Sequence, residues 1–282
     1  MNTNWLLRII PPVLLDIYKR IRVNRIIYYF GEYDSWELAE DEANKYGKGY
    51  EEDGILERVA EATRAVREGK AVYEQDSVLF YEEHYIFEFL SAIYFILAHE
   101  KDLILCDIGG ALGSTFYRYK SKLPMDRICW NIVEQKQFVD YGKKNIEDLS
   151  FYYNIEECSR DNPGMNTVFV LNTLQYLEDP YSMLDRIVSI DSVTYILLDE
   201  VVFNTHEDED ETIMLQHVPD SIYRAVYPLH VLRRSKLINY LGMRGFGLVF
   251  QWKWPEGNIL IKRGFRLEES LCEGFLFVRI VK

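Results

Sequence analysis

The chain has 282 residues, 48% of them hydrophobic, enough to bury a large core in one domain or in one domain with an appendage. Its formal net charge of −13 argues against nucleic acid as a partner. Cys106, Cys129, Cys158 and Cys272 are far apart and form no CxxC pair, so they read as reduced thiols of a cytosolic protein, not as a disulfide or zinc framework.

Residues 1–30 are aromatic, aliphatic and basic. Over residues 1–27, Arg8, Lys19, Arg20, Arg22 and Arg25 stand against Asp16 alone. Pro11-Pro12 suits a helix start, and Leu14, Ile17, Tyr18 and Ile21 then share one face. Two readings of this basic amphipathic helix compete: packing on protein, which the pattern favours, or lying in the inner membrane face with its cations toward anionic lipid. The uncharged run Ile9 to Leu15 is too short to span a bilayer, and no secretory signal is evident, so a cytoplasmic chain is expected.

Residues 31–100 read as a helical cap. Ser35 is placed to cap a helix from Trp36. Ile55 to Arg67 has helical spacing and Gly69 to stop it. Tyr85 to Leu97 is apolar nearly all round, which predicts a buried helix against a sheet. Glu74, Asp76, Ser77, Glu82, Glu83 and His84 precede it, within reach of a site mouth or in ordinary surface roles.

Residues 101–282 alternate strand and helix patterns, which predicts an α/β layer fold. The apolar run Leu103 to Cys106 ends in Asp107, followed by the turn Gly109-Gly110-Ala111-Leu112-Gly113 and a helix opening at Ser114. Ile128 to Val133 is a second buried strand and ends in Glu134. Phe138 to Leu149 reads as a helix, Phe151 to Ile155 as a short strand, and Thr167 to Leu171 as a buried strand ending at Asn172. Pro180 starts a helix through Ile187, and Tyr195 to Leu198 is a fifth strand, ending in Asp199-Glu200. Glu207 to Glu211 reads as a solvated acidic loop. Ser235 is the expected cap of a helix to Leu241, and Phe246 to Trp252 with Gly274 to Val281 form a closing strand pair joined across Pro255 to Asn258.

A buried strand entering a glycine turn and then a helix is how α/β folds build nucleotide sites, because the turn admits close approach and the helix start offers free N–H groups. An acid closing the next strand typically accepts from ribose hydroxyls, and Glu134 holds that position. Two strand-end acids flanking one glycine turn favour a nucleoside site over loop geometry alone.

Asp107 to Gly113 resembles the first motif of class I S-adenosylmethionine-dependent methyltransferases, an acid followed by x-G-x-G-x-G, with Ala111 in place of the middle glycine. Asn172 to Pro180 resembles the segment after their fourth strand. The resemblance is closer to the methyltransferases of bacterial surface-polysaccharide and lipopolysaccharide gene clusters. It is carried by Trp36…Tyr50, Tyr73 to Val78, Asp107 to Gly110, Trp130 to Gln135, Leu174 to Leu177 and Tyr223 to Pro228. Glu200 departs from it, since that branch has a basic residue after the acid.

The resemblance implies a Rossmann-like α/β sheet, mostly parallel with an antiparallel last strand, at residues 101–282, behind the N-terminal helix 1–30 and the helical cap 31–100. It implies S-adenosyl-L-methionine as cofactor, with Gly109, Gly110 and Gly113 beside its amino-acid part. Asp107 would orient that turn or the ammonium group, Glu134 would bind the ribose, and Gln135 and Asn172 would form the wall. The acceptor would be a small molecule or glycan precursor, methylated on a hydroxyl. A hydroxyl needs a general base, for which His217, Asp199 and Tyr227 are the leading candidates, with His206 and His84 behind them. The dispersed histidines point to no metal site. A nicotinamide-dependent oxidoreductase and a non-catalytic methyltransferase-like scaffold are the competing readings.

Overall fold

A computed structural model describes residues 27–46, 53–206, 208–219, 225–255, 259–264 and 266–280. The described chain opens with a strand, β1 (Tyr28–Tyr33), where the end of a basic helix was expected. The aromatic run Tyr28-Tyr29-Phe30 suits a half-buried strand, and its register shifts between Phe30 and Tyr33, where Gly31 has φ +71°. Residues 1–26, with the rest of that helix and its membrane reading, lie outside the described residues.

Helix α1 (Trp36–Ala43) is capped by Ser35 as expected, its side chain accepting from the Leu38 amide. After α2 (Asp53–Arg67) come β2 (Tyr73–Gln75) and β3 (Val78–Phe80), a hairpin inside the expected helical cap. Its two turn residues, Asp76 and Ser77, both have positive φ, as the twist of a two-residue hairpin demands. Helix α3 (Phe87–His99) buries Phe89, Ala92, Ile93 and Ile96 but leaves Phe87 and Tyr94 exposed. It lies on one face of the sheet, so its all-round apolar character does not produce all-round burial.

The chain then alternates β4 (Leu103–Ile108), α4 (Ser114–Tyr119), β5 (Ile128–Val133), α5 (Lys136–Asn145), β6 (Ser150–Tyr152), α6 (Ile155–Asp161), β7 (Thr167–Leu171), α7 (Pro180–Val188) and β8 (Tyr195–Phe203). There follow β9 (Thr212–Val218), β10 (Ala225–Val231), α8 (Arg234–Met243), β11 (Phe246–Lys253), β12 (Leu260–Arg263), β13 (Arg266–Glu269) and β14 (Leu271–Arg279). Arg233, not Ser235, stands at the cap of α8.

Seven strands form one sheet in the order β11-β14-β8-β7-β4-β5-β6, with β14 antiparallel to both neighbours and every other pair parallel. This is the Rossmann-like sheet the sequence implied, with β7 in the middle and β4 beside it. One face packs Ile93, Ile96, Phe116, Trp130, Phe138 and Phe169, the other Ile155, Cys158, Leu184, Ile187, Leu237 and Leu241.

A second sheet, order β10-β9-β1-β12-β13, has no counterpart in the sequence reading. Its strands come from opposite ends of the chain: β1 pairs antiparallel with β9 and parallel with β12. Tyr29, Met214, Leu229, Val231 and Ile261 pack with Val202 of β8, seating this sheet beyond the carboxyl end of the first. The chain therefore leaves the main sheet after β11, forms the hairpin β12–β13 in the second sheet and returns at β14, so β11 and β14 are not joined by a simple turn across Pro255 to Asn258.

β8 carries a bulge. Leu198 faces Phe275 and Val201 faces Glu273, so Asp199 and Glu200 together oppose the single residue Gly274. A Cβ at Gly274 would collide with both the Trp252 ring and the Asp199 carboxylate. Gly274→Ala should therefore lower stability by about 1–3 kcal/mol, read as a shift in the urea midpoint. An unchanged midpoint would mean the bulge relaxes without strain.

Candidate cofactor and acceptor site

A cavity of about 1290 Å³ opens between the carboxyl ends of β4, β5, β7 and β8 and the second sheet. Asp107, the penultimate residue of β4, is 1% exposed and lines it. Its Oδ2 accepts from the Trp130 indole Nε1 at 3.1 Å, while its Oδ1 has no hydrogen-bond partner among the described residues. Burial pushes this carboxyl up to about 7, the indole opposes the shift, and the nearby Glu134 carboxylate adds to it.

The turn after Asp107 needs its first two glycines. Gly109 has φ +76°, its amide donates to the Val133 carbonyl at 2.9 Å, and a Cβ there would enter the Thr173 side chain. At Gly110 a Cβ would sit 2.7 Å from Asp107 Oδ2. Ala111 holds φ +48°, a left-handed conformation that costs an L-residue about 1–2 kcal/mol, which is the physical reason for glycine in the resembling motif. Gly113 (φ +96°) packs against Leu149 and does not line the cavity; its left-handed backbone shapes the turn.

Glu134 and Gln135 line the cavity beyond the end of β5. The Glu134 carboxylate accepts from the Gln135 amide at 2.5 Å and is drawn down by the Ala111 amide, yet burial outweighs both and raises its pKa. Asn172, also lining the cavity, has φ +48° and ties two strand ends together. Its amide donates to the Asp199 carbonyl at 2.9 Å, and its Oδ1 accepts from Gln175 Nε2 at 2.8 Å.

Asp199 repeats the arrangement of Asp107. It is 4% exposed, lines the cavity, and its Oδ1 accepts from the Trp252 indole at 3.1 Å and from the Glu200 amide at 3.0 Å. Burial again pushes the carboxyl up to about 7. Two buried aspartates, Asp107 near the end of β4 and Asp199 at the bulge within β8, are thus each held by one tryptophan N–H. Neither tryptophan stood out in the sequence as a site residue, because a Trp inside an apolar strand reads as core.

The β2–β3 hairpin closes another wall. Buried Glu74 accepts from the Ser114 hydroxyl and the Ser77 amide, and burial pushes it up to about 7. Arg118 on α4 clamps this segment: Nε donates to the His84 carbonyl at 3.0 Å, Nη1 to Gln75 Oε1 at 3.2 Å, and its guanidinium lies 4.3 Å over the Tyr73 ring. Glu74, Asp76 and Ser77 reach the cavity, whereas Glu82, Glu83 and His84 do not line it. Arg118 itself was not singled out in the sequence.

From the second sheet, Gln216 and Tyr227 line the cavity. The Tyr176 hydroxyl donates to Gln216 Oε1 at 2.6 Å, and Gln216 Nε2 donates to the Tyr227 hydroxyl at 2.9 Å. His217, the histidine favoured as base, is one residue further along β9 and so on the opposite face. It stacks on Tyr28 with ring centroids 4.8 Å apart and is not part of the cavity wall. His206 is exposed and also outside it. Asp199 and Tyr227 remain as residues with proton chemistry at the site. The acidic run is more than a solvated loop: Glu209 pairs with Arg263 at 2.9 Å, and Glu211 accepts from Tyr181 and Lys236.

No protein-family model matches this chain, and no curated protein matches it. Among solved structures it is similar to the N-terminal domain of EvdMO1 with SAH bound, at 13% identity and a TM-score of 0.47, over 79% of this chain and 97% of that one. A SAM-dependent methyltransferase from Methanosarcina mazei aligns at 12% identity and 0.46, over 66% and 98%. The glycopeptide N-methyltransferase MtfA complexed with (S)-adenosyl-L-methionine aligns at 11% and 0.42, over 66% and 85%.

Glu74, Asp107 and Asp199 bind protons in the folded chain up to about pH 7 and in the unfolded chain only up to about pH 4. Their contribution to stability is present below the unfolded pKa and is lost as pH rises toward the folded pKa. The ligand-free protein should melt at a higher temperature near about pH 5.5 than near about pH 8, and Asp107→Asn should flatten that slope. A thermal midpoint that rises over this range would contradict the assignment.

Proposed function

We propose that this chain transfers a methyl group from S-adenosyl-L-methionine to a sugar or glycan-precursor hydroxyl in cell-surface polysaccharide biosynthesis. One observation carries the reading: all six stretches that resemble the surface-polysaccharide methyltransferases supply residues to the same cavity. They contribute Trp36, Glu74, Asp107, Glu134, Tyr176 and Tyr227, among others, from elements far apart in sequence.

The residues fit the cofactor. Unpartnered, buried Asp107 Oδ1 suits an ammonium group, and Gly109 and Gly110 leave room beside it. Glu134, at the end of the neighbouring strand, suits the ribose hydroxyls. An acidic wall also suits a sulfonium. The cofactor supplies an electrophilic methyl group, and the protein has to align an acceptor oxygen with it. Asp199 is the base we assign: it lines the cavity, and a carboxyl at about 7 matches proton uptake near neutral pH. The O–C bond forms as the S–C bond breaks, and the hydroxyl proton passes to Asp199. Tyr227, held by Gln216, orients the acceptor.

Calorimetric titration should show binding of S-adenosylmethionine and S-adenosylhomocysteine but not of NADH, with Glu134→Ala weakening both by about tenfold or more. Asp199→Asn should lower transfer by about 10²–10⁴-fold while leaving S-adenosylhomocysteine affinity in place. NADH binding alone would overturn the motif assignment in favour of an oxidoreductase. No binding of any of the three would make the chain a scaffold.

A further inference from the structure

Asp199 and Trp252 stand on strands that are not neighbours. The order β11-β14-β8 puts β14 between them, and strands separated in this way lie about 10 Å apart. The register sets three positions in a row across the sheet. Trp252 opposes Gly274, and Gly274 opposes the bulge of Asp199 and Glu200. The middle position has no side chain, so the Trp252 indole reaches over β14 to the carboxylate on β8. A Cβ at Gly274 would run into the indole and Asp199 Oδ1 together. Trp252 is itself buried in the core on the α3 face of the sheet, which fixes the indole in that crossing.

The two hydrogen bonds that the Asp199 carboxylate accepts fall on one oxygen. Oδ1 takes the indole N–H at 3.1 Å and the Glu200 amide at 3.0 Å, and the amide is turned toward it in the bulge, where Glu200 has φ +53°. Asp107 differs, because a single indole holds its Oδ2. A proton placed on Asp199 Oδ1 would oppose two N–H donors aimed at the same atom and cost at least one of those bonds. Protonation and deprotonation are therefore directed to Oδ2, on a side chain that lines the cavity.

We propose that Trp252 is a positioning residue for the reaction: across Gly274 its indole fixes Asp199 Oδ1 and leaves Oδ2 as the atom that takes the proton of the acceptor hydroxyl. This rests on the methyltransferase reading above, in which Asp199 is the base. As the acceptor O–H bond breaks, its proton goes to Oδ2, its oxygen bonds to the methyl carbon, and the S–C electron pair stays with sulfur as the neutral thioether. The carboxylic acid that results keeps its carbonyl oxygen under both donors, so neither hydrogen bond is remade during transfer. In the ionised form the same two donors stabilise the charge and hold the carboxyl below the value that burial alone would give. The other charged and titratable groups that act on Asp199 are Glu88 on α3, Arg118 and Tyr119 on α4, Cys272 on β14 and Glu200 beside it. All of them remain in Trp252→Phe, so that variant isolates the indole N–H.

The test uses the full, ligand-free chain with carbon-13 in its aspartate carboxyls, titrated by NMR, the Asp199 signal being the one lost in Asp199→Asn. Its midpoint should lie at about 7 and rise by about one unit in Trp252→Phe, because a donor to the charged form has gone. Trp130→Phe should leave it in place, since that indole serves Asp107. Infrared difference spectra between about pH 5.5 and about pH 8.5 should show the Asp199 carbonyl stretch at higher frequency in Trp252→Phe than in the parent, as expected when a hydrogen bond to Oδ1 is lost. Should Trp252→Phe fail to fold, benzothienylalanine at position 252 keeps the indole shape without the N–H, and the same two shifts are expected. An unchanged midpoint and an unchanged carbonyl frequency overturn the proposal. Undiminished methyl transfer by Asp199→Asn is a different result: it rejects Asp199 as the base and leaves the measured hold on its carboxyl standing.

Discussion

A carboxylate buried within a sheet needs a reason to be there, and Asp107 has half of one. The Trp130 indole satisfies Oδ2, and no described group satisfies Oδ1. Desolvation of that kind is costly unless the group is protonated or a cation arrives. Much of the local design follows from this. Gly110 has no side chain because a Cβ would press on the carboxylate, and Trp130 is itself held edge-on by Phe116 and Phe169. The arrangement stores an unmet demand for positive charge at the mouth of the glycine turn.

The second sheet turns that demand into a pocket with an acceptor side. It brings β1 from one end of the described chain between β9 and β12 from the other and lays Gln216 and Tyr227 over the β7 and β8 ends. Asp199 then sits where the two sheets meet, held by Trp252 as Asp107 is held by Trp130. On the proposed function, these two carboxyls poised near neutrality in one cavity, Asp107 toward the cofactor and Asp199 toward the acceptor, would give the site separate places for charge pairing and for proton transfer.

Local signals made the main sheet legible in the sequence. In β4, β5, β7 and the first half of β8 a short apolar run leads to a polar residue, and those residues, Asp107, Glu134, Asn172 and Asp199, all line the cavity. The second sheet was not legible, because its pairing is non-local. β1 borders a basic segment and reads as its continuation, and β12 and β13 are only four residues each. His217 falls outside the cavity wall for a reason of period: in a strand one position decides the face, and without knowing that residues 212–218 are a strand the face cannot be assigned. The tryptophans and Arg118 were hidden because a buried donor looks like core until its acceptor is located.

The most direct measurement is the number of protons released when S-adenosylmethionine binds, from calorimetry at about pH 7 in buffers of different ionisation enthalpy. If the cofactor ammonium pairs with Asp107, binding should expel about half a proton at that pH, tighten as pH rises through 7, and lose both effects in Asp107→Asn. Binding with no proton release, or release that persists in Asp107→Asn, would contradict the account.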